Sequence, residues 1–116
     1  MGHRIEARVV RFLKRHGLEH VASNVSSRQG EVDIVMLDGD CLVFVEVRYR
    51  GPRSRVSASQ TVDDHKQQRI QSAAAQFLSR HPEHYDRVCR FDVVGVNRSF
   101  AGRLRVDWIR DAFRVH

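Results

Sequence analysis

The chain has 116 residues, of which 41% are hydrophobic and 29% are charged. This length suits one domain over residues 1–116 with a core that needs no disulfide, and the composition excludes a disordered chain. The formal net charge is +6, which favours a polyanionic partner such as nucleic acid. No apolar run approaches the roughly 20 residues that span a bilayer, so we expect a cytoplasmic protein with no membrane partner.

The first predicted element is an amphipathic helix over residues 3–16, which Gly17 ends. Its apolar side chains recur at helical spacing, at Ile5, Val9, Phe12 and Leu13. Glu6 lies inside this apolar arc, and five basic residues share the other face. They are Arg4, Arg8, Arg11, Lys14 and Arg15. A carboxylate in the apolar arc either faces a functional site or lies only at the boundary between the apolar and polar faces of the helix.

Three strands are predicted next, over residues 19–25, 31–37 and 41–50. The second and third are rich in β-branched and aromatic residues and are joined by Asp38-Gly39-Asp40, a sequence that suits a tight hairpin. The third strand is apolar on both faces, so we expect it at the centre of a sheet.

The second half of the chain begins with a basic, polar loop over residues 51–60. Thr61, with an acid three residues later, predicts the start of a second helix, and Pro82 predicts its end. A strand follows over residues 87–97, and residues 104–113 predict a short strand that turns into a terminal helix. The order α-β-β-β-α-β-β-α predicts an α/β fold in which helices cover both faces of a mixed sheet.

Two acids stand at unusual places in the predicted hairpin, Asp33 in its first strand and Glu46 in its second. A two-residue turn puts both side chains on one face of the sheet. They are directly opposite if Gly39 and Asp40 are the central residues, and one diagonal step apart if the turn begins one residue earlier. Buried carboxylates repel each other, so a positive group is expected between them. The alternative is a surface hairpin in which Glu46 pairs with Arg48 or with a cross-strand arginine.

Arg48, Lys66 or a divalent metal could supply that positive charge. Lys66 is one of only two lysines in a chain with 18 arginines. It falls on the apolar side of the second helix, although a lysine there can also extend to solvent. Carboxylates beside a cation are what metal-dependent phosphodiester cleavage requires, because hard oxygen ligands hold Mg²⁺ while a lysine positions the attacking water.

The remaining chemistry-bearing residues receive structural predictions. Cys41 and Cys89 lie in apolar strand-like runs without CxxC spacing, so we expect buried thiols and no zinc or redox pair. Trp108 is expected in the core.

Five segments between residues 2 and 96 resemble the PD-(D/E)XK nuclease superfamily. They more closely resemble the bacterial YraN family of endonuclease-like proteins, which are similar to archaeal Holliday junction resolvases. The segments are GHRIEA, GEVDIV, LVFVEVRYR, KQQRI and RFDVVGV. The resemblance implies a restriction-endonuclease-like fold and an Mg²⁺- or Mn²⁺-dependent endonuclease acting on structured or branched DNA.

By this resemblance, Asp33 and Glu46 would bind the metal, with Glu6 as the extra helix carboxylate of resolvase-like members. Arg48 stands where the family motif has lysine, and arginine cannot serve as a general base because it keeps its proton in proteins. Three explanations remain open. Arg48 keeps an electrostatic role, Lys66 orients the water, or catalysis has been lost and the chain is a nucleic-acid-binding module that keeps the nuclease fold.

Two sets of arginines are candidates for contact with the nucleic-acid backbone, the alternative being that they are merely solvated. One set follows Glu46 into the basic loop and consists of Arg50, Arg53 and Arg55. The other set is the basic face of the first helix, Arg4, Arg8 and Arg11. The sequence shows no aromatic platform for bases, and it leaves open whether the chain acts alone or as a homodimer.

Overall fold

A computed structural model describes residues 2–52 and 62–114, with side chains from residue 4 onward. In chain order, the elements are α1 (Gly2–Arg15), β1 (Glu19–Ser27), β2 (Gly30–Asp38), β3 (Cys41–Arg50), α2 (Asp64–Arg80), a short 3-10 helix (Pro82–His84), β4 (Cys89–Arg98) and β5 (Leu104–Phe113). Neither α-helix within these ranges has the length and apolar character that crossing a bilayer requires.

The strands form one mixed sheet in the order β1-β2-β3-β4-β5. β3 and β4 run parallel, whereas the other neighbours are antiparallel. A parallel pair needs a long crossover, and α2 lies in the connection between β3 and β4. The predicted α/β class is confirmed, and the mixed sheet with its two helices is consistent with a restriction-endonuclease-like fold.

Each face of the sheet is covered by one helix, as the sequence predicts. On the face that we call the α2 face, Ile70 and Phe77 pack with Phe44 of β3. On the opposite α1 face, Val9 packs with Val43 and other strand residues. β3 contributes fully buried side chains to both clusters, so its predicted central position is confirmed. Each large apolar side chain buried in this way stabilises the fold by about 1.5–3 kcal/mol.

The predicted end of α1 is also confirmed. Gly17 follows the helix with a φ of 93°, a conformation that glycine adopts without strain. The N–H of Leu18 donates to the carbonyl of Leu13 at 3.1 Å, which satisfies a carbonyl in the last turn of the helix.

The predicted start of α2 needs correction. The helix begins at Asp64, and its N-cap is Asp63, whose Oδ1 accepts the N–H of Lys66 at 2.9 Å. The prediction that Thr61 opens the helix is therefore wrong, and Thr61 itself lies outside the described residues. Asp63 is the N-cap because its carboxylate accepts a hydrogen bond from an N–H of the first turn that has no partner within the helix. The positive end of the helix dipole also stabilises its negative charge.

The predicted terminal helix is wrong as well. Residues 104–113 form strand β5 throughout. β5 pairs with β4 on both sides of a register shift between Phe91 and Val93. Within this shift, Asp111 has a φ of 52° and its N–H donates to the buried Asp92 carboxylate at 2.9 Å. That contact spans 19 residues of sequence, so a local pattern does not indicate it.

Candidate active site

The β2–β3 hairpin sets the geometry of the two acids. Its central residues are Gly39 and Asp40, and Gly39 has the positive φ, 59°, that a type II′ turn needs at this position. Of the two registers that the sequence allows, this one places Asp33 directly opposite Glu46. Both side chains therefore lie on the α2 face, as predicted.

Asp33 stands where β2 and β3 separate. The pair Ile34–Val45 is the last one between the two strands. Beyond it, the N–H of Val47 donates to Oδ2 of Asp33 at 2.8 Å. The carboxylate thus replaces a backbone acceptor and satisfies a donor that the separating strands would leave unpaired. The same bond fixes the Asp33 side chain next to Glu46.

Glu46 is buried between two cations. It is only 4% exposed. Its Oε2 lies 2.9 Å from Nη2 of Arg48 and 3.7 Å from Nζ of Lys66. The inward position predicted for Lys66 is confirmed. The alternative of a surface hairpin is wrong, although the ion pair with Arg48 that it invoked does form.

The surroundings of Glu46 disfavour the charged form of its side chain. Burial, and after it the neighbouring Asp33 carboxyl, raise the pKa of Glu46 to about 8, although Arg48 and Lys66 both act to lower it. Two nearby cations therefore do not offset the loss of water and the repulsion between the acids. The raised pKa favours a proton on the pair at neutral pH.

Close packing between β2 and α2 brings Lys66 to this position. A Cβ added at Gly30, the first residue of β2, would collide with the backbone carbonyl of Arg69 in α2. The guanidinium of Arg69 donates from Nε to the carbonyl of Gln29 at 3.2 Å. Lys66 lies three residues before Arg69, almost one helical turn, so the first turn of α2 lies over the carboxylates.

Glu6 is not brought to this pair. It is half-buried on α1, and α1 packs on the other face of the sheet. Within residues 2–52 and 62–114, no three His, Cys, Asp or Glu side chains gather as metal ligands. Asp33 and Glu46 nevertheless suit Mg²⁺ or Mn²⁺, which prefer oxygen donors and which proteins often hold with one or two carboxylates.

The arginines that follow Glu46 continue along the same face of β3. Arg48 and Arg50 are both partly exposed. Nε of Arg48, and Nε and Nη2 of Arg50, are buried and have no hydrogen-bond partner among the described residues. These donors extend the positive charge of the site beyond the acids. Arg53 and Arg55, also predicted to contact nucleic acid, lie outside the described residues.

The basic face of α1 forms part of a cleft. Arg4 and Arg8 line a cavity of about 510 Å³ together with Ile5, Tyr49, Arg98 and Leu104. We call this the arginine cleft. Arg11 is exposed on α1 and is not among the residues that line it. The sequence-based prediction did not include Arg98, which only the strand topology indicates. Arg98 is the last residue of β4, and β4 runs parallel to β3, so the carboxyl ends of the two strands lie side by side.

Asp92 has a structural role. Its fully buried carboxylate accepts hydrogen bonds from Arg90 at 3.0 Å, from the indole N–H of Trp108 at 2.9 Å and from the N–H of Asp111. Trp108 is half-buried, so its predicted core position is only partly met.

The two cysteines lie at the amino ends of β3 and β4. Cys41 and Cys89 are free and half-buried, and burial raises the pKa of both thiols. A raised pKa keeps a thiol protonated and unreactive.

Comparison with known proteins identifies the relatives of the chain. Residues 5–96 match a family described as "Uncharacterised protein family UPF0102". A UPF0102 protein of Alcanivorax borkumensis is 45% identical over 112 residues, which cover 97% of this chain and 90% of that protein. One from Xylella fastidiosa strain M12 is 50% identical over 115 residues, covering 98% and 92%. One from Pseudomonas fluorescens is 40% identical over 112 residues, covering 97% and 91%. These names give a family and no activity.

Proposed function

The chain belongs to the UPF0102 family, the YraN family that its sequence resembles, and on this premise we propose that it is a metal-dependent endonuclease that hydrolyses phosphodiester bonds in DNA. Structured or branched DNA is the proposed substrate, and the cytoplasm is the proposed location. The observation that carries this function is the pair of the buried Glu46 and the half-buried Asp33, with Lys66 and Arg48 beside it.

A purely structural role does not account well for this pair. A buried ion pair stabilises a fold only where the attraction between its charges offsets their loss of water. Here the pKa of Glu46 is raised to about 8 despite two cations within 4 Å. A strongly perturbed acid next to a second acid is typical of sites that bind a cation or carry out chemistry.

Asp33 and Glu46 would hold the Mg²⁺ or Mn²⁺ ion. A bound ion of this kind supplies charge that neutralises a phosphate and lowers the pKa of a water. Lys66 then takes the place of the lysine that the family motif has at position 48, because its Nζ reaches the same carboxylate from α2. We infer that Lys66 donates a hydrogen bond that orients the attacking water. Arg48 donates to the phosphate as negative charge develops on it.

A second candidate function rests on the 2.9 Å ion pair between Arg48 and Glu46. If Arg48 neutralises Glu46 permanently, no cation is needed there and the chain is a nucleic-acid-binding module without cleavage activity. The partly buried arginines and the arginine cleft would serve that function equally well.

The deciding experiment measures nicking of supercoiled plasmid, linear duplex and a four-way junction with Mg²⁺, Mn²⁺ or EDTA. We expect cleavage with a metal that is lost in Asp33→Asn and in Glu46→Gln. Glu31→Gln is the matched control, because Glu31 is an exposed acid in the same strand as Asp33. Salt-sensitive DNA binding without cleavage by any of these proteins would favour the binding module, and neither binding nor cleavage would remove both functions.

A further inference from the structure

The β4–β5 hairpin presents an aromatic side chain to solvent. Phe100, in the turn between these strands, is 80% exposed. The turn around it is well bonded, with the N–H of Ser99 donating to the carbonyl of Arg103 at 2.9 Å and Gly102 adopting a φ of 80°. An ordered turn therefore holds a large apolar ring in water, where little of its surface is buried.

The hairpin is tied to the arginine cleft through Arg98. Its Nε donates to the Tyr49 hydroxyl at 2.9 Å, and its Nη1 donates to the carbonyl of Gly102 at 3.1 Å. Arg98 thus lines the cleft and braces the turn that carries Phe100. Of the described residues that line the cleft, three are arginines and none is an acid. The turn that carries Phe100 is therefore attached to the positively charged cleft through Arg98.

This surface is distinct from the carboxylate site but close to it along the chain. Tyr49 lies three residues beyond Glu46 in β3 and points to the α1 face, whereas Glu46 points to the α2 face. Tyr49 and Arg98 lie near the carboxyl ends of these parallel strands, and Glu46 lies in the half of β3 that leads to this end. A nucleic acid that crosses this edge of the sheet can contact the cleft while another part of it reaches the acids.

We propose that Phe100 and the arginine cleft recognise DNA at a junction between duplex and single strand. The arginines contact backbone phosphates, and Phe100 stacks on a base that the junction leaves without a neighbour. Stacking of a base on an aromatic ring needs a free base face, which an intact duplex does not offer in its interior. This inference rests on the nucleic-acid partner of the proposed function and specifies the form of DNA that the protein prefers.

Charge separates this surface from the surroundings of Val88, another exposed apolar side chain. Val88 is 74% exposed, almost as much as Phe100. It lies in a cavity lined by four acids, Asp38, Asp40, Glu83 and Asp86, and by one arginine, Arg87. The acids outnumber the arginine in this lining, which disfavours phosphates, so Val88 provides a control for Phe100.

The test is binding of two DNA probes in EDTA, so that cleavage plays no part. One probe is a blunt duplex, and the other is the same duplex with a fork that carries 2-aminopurine at its first unpaired position. We expect Phe100→Ala to weaken binding of the fork about ten-fold and to remove the change in 2-aminopurine fluorescence that the wild-type protein causes on binding. The blunt duplex should bind within about two-fold of wild type, because phosphate contacts are unchanged.

Control variants separate stacking from general effects. Phe100→Trp should retain the preference for the fork, because it keeps an aromatic face, and Val88→Ala should bind both probes as wild type does. Arg8→Gln should weaken both probes equally and lower the salt dependence by about one counterion, whereas Arg80→Gln, an exposed arginine at the end of α2, should not.

The outcomes distinguish this inference from the proposed activity. If Phe100→Ala binds the fork as tightly as wild type, or loses both probes equally, the junction contact is wrong even if the protein nicks DNA. A wild-type protein that binds neither probe also overturns it. If Phe100→Ala loses the fork alone and no protein cleaves DNA, the junction contact stands and the endonuclease does not.

Discussion

Glu46 makes the stability of the metal-free protein depend on pH. Its pKa is about 8 in the folded state, against about 4.5 for an ordinary glutamate. The stabilisation by the bound proton is complete below the lower value and is lost as pH rises through the higher one. Between these values, the unfolding free energy falls by roughly 1.4 kcal/mol per pH unit.

The first prediction follows from this sign. In EDTA, the free energy of unfolding in urea should fall between pH 5 and pH 8 for wild type and much less for Glu46→Gln, which is neutral throughout. The variant should therefore be the more stable protein at pH 9. Glu31→Gln should keep the wild-type slope, because Glu31 is exposed. Parallel pH profiles for wild type and Glu46→Gln would contradict the raised pKa.

The second prediction concerns the two cations at Glu46. Lys66→Met should reduce the rate of metal-dependent nicking by about 100-fold or more, because the water loses the group that orients it. Arg48→Lys should retain activity within about ten-fold, because it keeps a charge beside the phosphate. DNA binding in EDTA should stay within about two-fold for both. Wild-type nicking by Lys66→Met would show that Lys66 has no part in the chemistry.

At the scale of elements, the contact between β2 and α2 positions the site. Gly30→Ala would push a methyl group into the Arg69 carbonyl, so we expect a loss of about 1–3 kcal/mol in unfolding free energy. The same displacement moves Lys66 and should lower nicking further than the loss of folded protein explains. Gly51→Ala is the control, because a Cβ at Gly51 meets nothing within 4 Å. Equal stability of the two variants in urea would show that α2 can shift at no cost.

Periodicity accounts for the elements that the sequence predicts correctly. Alternation in β2 and β3 placed Asp33 and Glu46 on one face, and helical spacing placed Lys66 inward. Periodicity assigns a residue to a face of its own helix, but it does not say which face of the sheet that helix covers. The placement of Glu6 on α1, away from Asp33, could therefore not be predicted.

The errors in the second half have a different cause. The strand over residues 104–113 is held in part by Asp92, which binds Trp108 and the Asp111 backbone from another strand. The local pattern of apolar and charged residues there fits a helix as well as a strand, and only the sheet decides between them. The exposure of Phe100 could not be predicted for the same reason. A phenylalanine is usually buried, and only the position of the turn between β4 and β5 shows that this one is exposed.

At the scale of the whole molecule, charge is separated along β3 and β4. Four acids and one arginine, Arg87, line the cavity at the amino ends of these strands. Arg48, Arg50 and the arginine cleft lie at their carboxyl ends. Strands of 10 residues span roughly 30 Å, several Debye lengths at physiological salt. DNA bound at the basic end therefore interacts little with the acids at the other.

Because charge is separated in this way, we expect DNA affinity to depend on which region of the protein loses charge and only weakly on the net charge. Glu83→Gln with Asp86→Asn raises the net charge by two. It should still leave the affinity for a blunt duplex within about two-fold of wild type, because salt screens interactions over the distance between these acids and the bound DNA. Arg4→Gln with Arg8→Gln lowers the net charge by the same amount and should weaken binding at least ten-fold, with a salt dependence reduced by about two counterions. Fluorescence anisotropy over a salt series measures both. If the Glu83→Gln, Asp86→Asn variant bound DNA much more tightly than wild type, net charge would govern binding and the arginine cleft would not be a specific DNA contact.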